Sequence, residues 1–139
     1  MEIYGICERY DESFRLKVKA TEAMNQAWLD VLNQDDECNY KTFEEAMNDP
    51  YQCYLSNKEG FLVMEVVRDL HDHTYFIEYY FDSYEDIEAE LTEEELAEID
   101  EFIFKWRDKM PDQNEVDIWG EEEFLNALPD DIPWKKNLI

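Results

Sequence analysis

Positions 82–102 read DSYEDIEAELTEEELAEIDEF and hold eleven acids with no lysine or arginine. Carboxylates offer three kinds of chemistry: paired proton transfer, coordination of a hard cation, and fixed negative charge. Proton transfer needs two carboxyl groups in unlike environments, and no spacing singles out a pair among the 37 acids of the chain. A calcium loop of the form D-x-[DN]-x-[DN]-G does not occur. His71 and His73, with Asp69 and Asp72 beside them, have the alternate spacing of a chelate but no third ligand at a fixed distance in sequence. A polar turn is the expectation there. No G-x-S-x-G, glycine-rich phosphate loop or family-type Cys/His arrangement is present, and only 3 glycines are available to build such a loop. The reading is of a protein that is not an enzyme and needs no metal or cofactor. Fixed charge remains.

That charge is dense. Were residues 82–101 one helix, they would span about 30 Å, or about 2.7 Å per acid, at the usual helical rise. Duplex DNA carries one charge per about 1.7 Å of axis, or about 3.4 Å per strand. Between Asp69 and Phe104 there is no lysine or arginine, and the acids of this stretch have one Glu-to-Lys pair at i,i+4 spacing, Glu101–Lys105. The whole chain of 139 residues has a formal net charge of −25. A small domain stays soluble with a charge of about 2–8, and the excess destabilises the compact state by self-repulsion. Direct binding of nucleic acid is excluded, because phosphates need a basic surface. Anionic membranes are excluded for the same reason.

The elements that must hold these acids are those of a folded chain. Hydrophobic residues make up 45% and aromatics 15%, enough for a core. Residues 2–8 read as a strand, and 13–19 alternate, with Phe14, Leu16 and Val18 on one side and Arg15, Lys17 and Lys19 on the other. The basic stripe is expected to pair with Glu2 and Glu8. A helix over 21–32 places Met24, Ala27, Trp28, Val31 and Leu32 on one face with Ala20. Thr42 with Glu45 opens a short helix before Pro50. Strands are expected at 51–56, 60–68 and 74–81, of which FLVMEVVRDL also suits a buried helix. Ser83 with Asp86 resembles a cap for a helical turn, and Thr92 with Glu95 is a capping box for a helix ending near Met110, before Pro111. Its apolar stripe is Leu96, Ile99, Ile103, Trp106 and Met110; Glu94, Glu98 and Glu101 lie opposite. A short helix at 121–128 and an irregular arm over about 129–139 with Trp134 complete the chain. The sum is an α+β fold: one domain, an antiparallel sheet of about five strands, and three to four helices packed on it.

The three cysteines, Cys7, Cys38 and Cys53, are odd in number and form no C-x-x-C motif, which fits a reducing cytoplasm. The opening MEIYGICERY lacks the basic and apolar regions of a signal peptide, and FLVMEVV is too short to span a bilayer. Small, very acidic cytoplasmic proteins resemble, in size and charge alone, the nucleic-acid mimics with which phages and mobile elements block restriction or CRISPR nucleases. The leading expectation is such an inhibitor, an anti-restriction or anti-CRISPR protein acting in the host cytoplasm. Its partner is a basic nucleic-acid-binding protein such as a nuclease. The residues expected to meet it are Asp82, Glu85, Asp86, Glu88, Glu90, Glu94, Glu98 and Glu101, with Tyr84 and Phe104 as aromatic anchors. An immunity protein or antitoxin against a nuclease toxin, or a non-catalytic subunit of a larger complex, are the alternatives. Monomer and homodimer are both compatible with the sequence.

Overall fold

The computed structural model describes residues 1–34, 37–49, 62–81, 83–115 and 121–134, with backbone alone for 79–81, 83–86, 121 and 124. Its elements follow in the order β1 (Ile3–Tyr10), β2 (Ser13–Lys19), α1 (Glu22–Leu32), α2 (Phe43–Asn48), β3 (Val63–Asp69), β4 (Tyr75–Phe81), β5 (Ser83–Ile87), α3 (Glu93–Trp106) and α4 (Glu121–Ala127). The fold is α+β, with an antiparallel sheet in the order β1-β2-β3-β4-β5. Four of its strands fall where the sequence places them. The expected strand at 51–56 lies outside the described residues, whereas β5 falls on a stretch read as a helical turn.

Alternation builds the sheet. Phe14, Leu16 and Val18 of β2, Met64 and Val66 of β3 and Ile77 of β4 are buried in the same core as Met24, Trp28 and Leu29 of α1 and Ile99 and Ile103 of α3. Leu29 lies off the helical face expected from sequence and is nevertheless buried. The stretch around 63–69, ambiguous in sequence, is a strand that lies between two others: all of it faces β2, and Glu65 to Arg68 also face β4. The first hairpin is tighter than expected. β1 runs on to Tyr10, and Asp11, at φ 34°, takes the left-handed conformation that closes the turn.

The Ser83–Asp86 pattern loses to pairing. Each residue of β5 from Ser83 to Ile87 faces a residue of β4, and Ile87 sits opposite Ile77, both buried. A helical turn there would leave the β4 edge open. Thus 82–101 is not one helix. Five residues of strand at about 3.3 Å each cover more than twice the length of the same residues in a helix. The continuous polyanionic rod is corrected to an acidic strand followed by an acidic helix.

Candidate acidic docking face

Helix α3 starts where its sequence directs. The Thr92 hydroxyl accepts the Glu95 backbone N–H at 3.1 Å, and the Glu95 carboxylate accepts the Thr92 N–H at 3.1 Å. Ile99, Ile103 and the following Met110 are buried, while Leu96 and Trp106 are half-buried. The helix ends at Trp106 and tightens into a 3-10 turn over Arg107–Lys109. There Arg9 donates to the Arg107 carbonyl at 2.6 Å and the Met110 carbonyl at 2.9 Å. Lys105, Arg107 and Lys109 also gather at this end. The negative end of the helix dipole is thus met by cations, and its positive end by Glu93, Glu94 and Glu95.

One acid of α3 is not part of the outward surface. Asp100 accepts from Arg68 of β3 through both oxygens, at 2.9 and 3.0 Å. Arg68 is 5% exposed and also donates to the Thr74 carbonyl at 3.3 Å. Donating to the Asp100 carboxylate holds the Arg68 guanidinium pKa above its usual value. Read from sequence, Asp100 was one more repelling charge; it is the polar anchor that sets which side of α3 faces out. The signal was the arginine inside an otherwise alternating strand, at an inward-facing position.

A second arginine works on the opposite face of the sheet. Arg15 reaches Glu8 at 3.2 Å, Glu65 at 3.0 Å and Glu78, from three different strands. Burial opposes its charge, yet the hydrogen bond to Glu78 and the surrounding carboxylates raise its pKa further. Burial pushes the Glu65 carboxyl up, with Arg15 pulling it back. Lys19 approaches Glu2 at 3.9 Å, so the stripe pairs with Glu2 and Glu8 as expected and also reaches across the sheet. Burial also raises the thiol of Cys7, well above its ordinary value, and its Sγ donates to the Arg15 carbonyl at 3.2 Å.

The residues expected to bind a partner divide as follows. Glu94, Glu98 and Glu101 lie exposed along one line of α3. Glu88 and Glu90 are exposed on the connection before it. The carboxylate of Glu98 accepts from the Met1 amino group. Glu98 and Glu101 line a shallow depression with Met1, Ile3, Phe102 and Lys105. Phe104 is 56% exposed. Tyr84, Glu85 and Asp86 lie on β5, the last strand of the sheet among the described residues, where their backbone alone is described; Asp82 lies outside the described residues. At 71–73, Asp69 accepts the backbone N–H groups of His71 and Asp72 at 2.8 and 2.9 Å, and His71 contacts Glu12 at 3.1 Å.

The irregular arm carries a contact that its lack of periodicity concealed. Trp134 is 5% exposed, with its ring against Gly5 of β1, 6.1 Å from Phe102 and 6.4 Å from Trp106 between centroids. A glycine inside a strand is the sequence mark of such a close approach.

No known protein family, no curated protein and no solved structure matches this chain. No helix among the described residues is long and apolar enough to cross a membrane.

Proposed function

We propose that this protein is a nucleic-acid-mimic inhibitor whose acidic face occupies the basic groove of a DNA- or RNA-handling protein. One observation carries the reading. Glu88, Glu90, Glu94 and Glu101 are exposed with no ion pair among the described residues, while Arg9, Arg15 and Arg68 are engaged within the fold. A surface tuned for stability would mix signs along α3. Here Glu94, Glu98 and Glu101 present like charges about 5–6 Å apart from one turn to the next. Such a face attracts a basic groove at long range and gives fast, salt-sensitive association.

The test is competition. A host protein captured by this chain is identified, and its binding to labelled nucleic acid is titrated with the wild type and with a variant carrying Glu94→Gln, Glu98→Gln and Glu101→Gln. The reading expects stoichiometric displacement by the wild type, a steep loss in the variant, and an unchanged circular dichroism spectrum. Displacement that survives the triple change removes α3 from the interface. An immunity protein uses the same surface differently, and the exposure of Phe104 favours it as second reading. In that case Phe104→Ala costs more affinity than any single acid.

A further inference from the structure

The acidic line of α3 does not end in solvent. One turn beyond Glu101 comes Phe104, the most exposed of the large hydrophobic residues described. Four residues further lies Asp108, whose side chain is 89% exposed. Glu101 precedes Phe104 by one turn of α3, and Asp108, in the 3-10 turn that follows, lies 3.9 Å from the Nε of Arg107, the residue that stacks over the ring. An aromatic face with these carboxylates suits one chemistry in particular: a flat, weakly hydrated cation, which stacks on the ring while its N–H groups meet the acids.

The chain itself provides such a cation. The guanidinium carbon of Arg107 lies 4.9 Å from the centre of the Phe104 ring, and its Nε lies 3.9 Å from Asp108. Arg107 is half-buried, and its ion pair with Asp108 is long. An exposed cation–π contact contributes about a twofold to fivefold preference. A contact this weak can be exchanged for a better-placed guanidinium from outside.

We propose that the Phe104 ring, with Glu101 and Asp108, is a seat for an arginine side chain of the basic partner, and that Arg107 holds this seat in the free protein. The inference rests on the acidic-face reading and adds a residue preference to it. Charge alone treats arginine and lysine alike, whereas stacking on Phe104 favours the planar guanidinium.

Labelled oligo-arginine and oligo-lysine peptides of equal length test it, by fluorescence anisotropy against the full chain. The wild type is expected to bind the arginine peptide about twofold to fivefold more tightly than the lysine peptide. Phe104→Leu, which keeps an apolar side chain without a π face, erases that preference by weakening arginine binding more than lysine binding. Arg107→Gln strengthens arginine binding by vacating the ring. Equal, salt-sensitive binding of both peptides by the wild type overturns the arginine seat and leaves the acidic-face reading standing. Failure of both peptides to bind sinks the two together. A wild-type dimer that Phe104→Leu dissociates assigns the ring to a second copy of this chain, and also overturns the proposal.

Discussion

Replacing Asp100 by alanine strips the acceptor from a guanidinium that is 5% exposed. Removing one partner of a buried ion pair costs about 3–5 kcal/mol, because the other charge stays desolvated. Asp100 is 27% exposed at its side chain, so the lower end, about 3 kcal/mol, is expected from urea unfolding. Replacing both partners, Arg68→Met with Asp100→Leu, should recover most of that loss. Glu101→Gln, one position along, should cost nothing measurable, since Glu101 has no ion pair among the described residues. Neighbouring acids of one helix thus differ by the whole value of an anchor. Gly5 sets a second residue-scale constraint. A Cβ at this position would overlap Trp134 Cε3 and come within 2.8 Å of Cδ2. Gly5→Ala is expected to displace the indole at a cost of about 1–3 kcal/mol, the range for overpacking. Indole emission from the folded variant should shift to the red if Trp134 is driven into water.

At the scale of elements, α3 is a scaffold that turns its cost outward. Its N-terminal cap satisfies backbone groups at a stretch crowded with carboxylates, and Thr92→Ala is expected to cost about 1 kcal/mol. Changing Glu94 and Glu101 to Gln should leave the melting temperature equal or higher, because it relieves their repulsion of Glu98 and keeps the Glu98 ion pair with Met1. A melt of each variant in the same buffer separates the two effects. The capping box and the Ile99–Ile103 spacing are local, and for that reason both were legible in the sequence. The strand β5 was not. Ser83 and Asp86 satisfy a local capping pattern, but Ile87 gains burial opposite Ile77 only when the strand lies beside β4. No local pattern records that partner. Trp134 was concealed in the same way, since its seat on Gly5 joins residues from opposite ends of the sequence. Of the candidate face, the line Glu94–Glu98–Glu101 followed from helical spacing alone. The anchoring role of Asp100 depended on Arg68, 32 residues earlier in the chain.

At the scale of the molecule, the charge of −25 makes stability a function of salt and pH. Added salt screens exposed repulsion, so the melting temperature should rise with ionic strength. A flat response would mean that the exposed acids are paired. The pH dependence has two opposed parts. Burial raises the Glu65 carboxyl, so ionising it costs the fold; the cost is full above its folded pKa and vanishes below the ordinary glutamate value. Stability therefore rises as pH falls through that window. Asp69 behaves oppositely. The backbone N–H groups of Asp72 and His71 lower its pKa, so its contribution is present above the ordinary aspartate value and is lost as pH falls through the folded one. Maximum stability is expected on the acid side of neutrality, measured by thermal unfolding between about pH 8 and about pH 4. Glu65→Gln should remove that rise from the curve. The sheet order implies a calendar as well. Hairpins close in about 1–10 μs, yet Arg9 must wait for carbonyls 98 and 101 residues later. At about 5–20 residues per second of synthesis, that wait lasts roughly 5–20 s. During it the flank of β1 that will receive Gln113 and Trp134 stands open on the nascent chain. Open strand edges invite pairing with other chains, and the carboxylates that distinguish the finished protein begin to keep neighbours apart before it is finished.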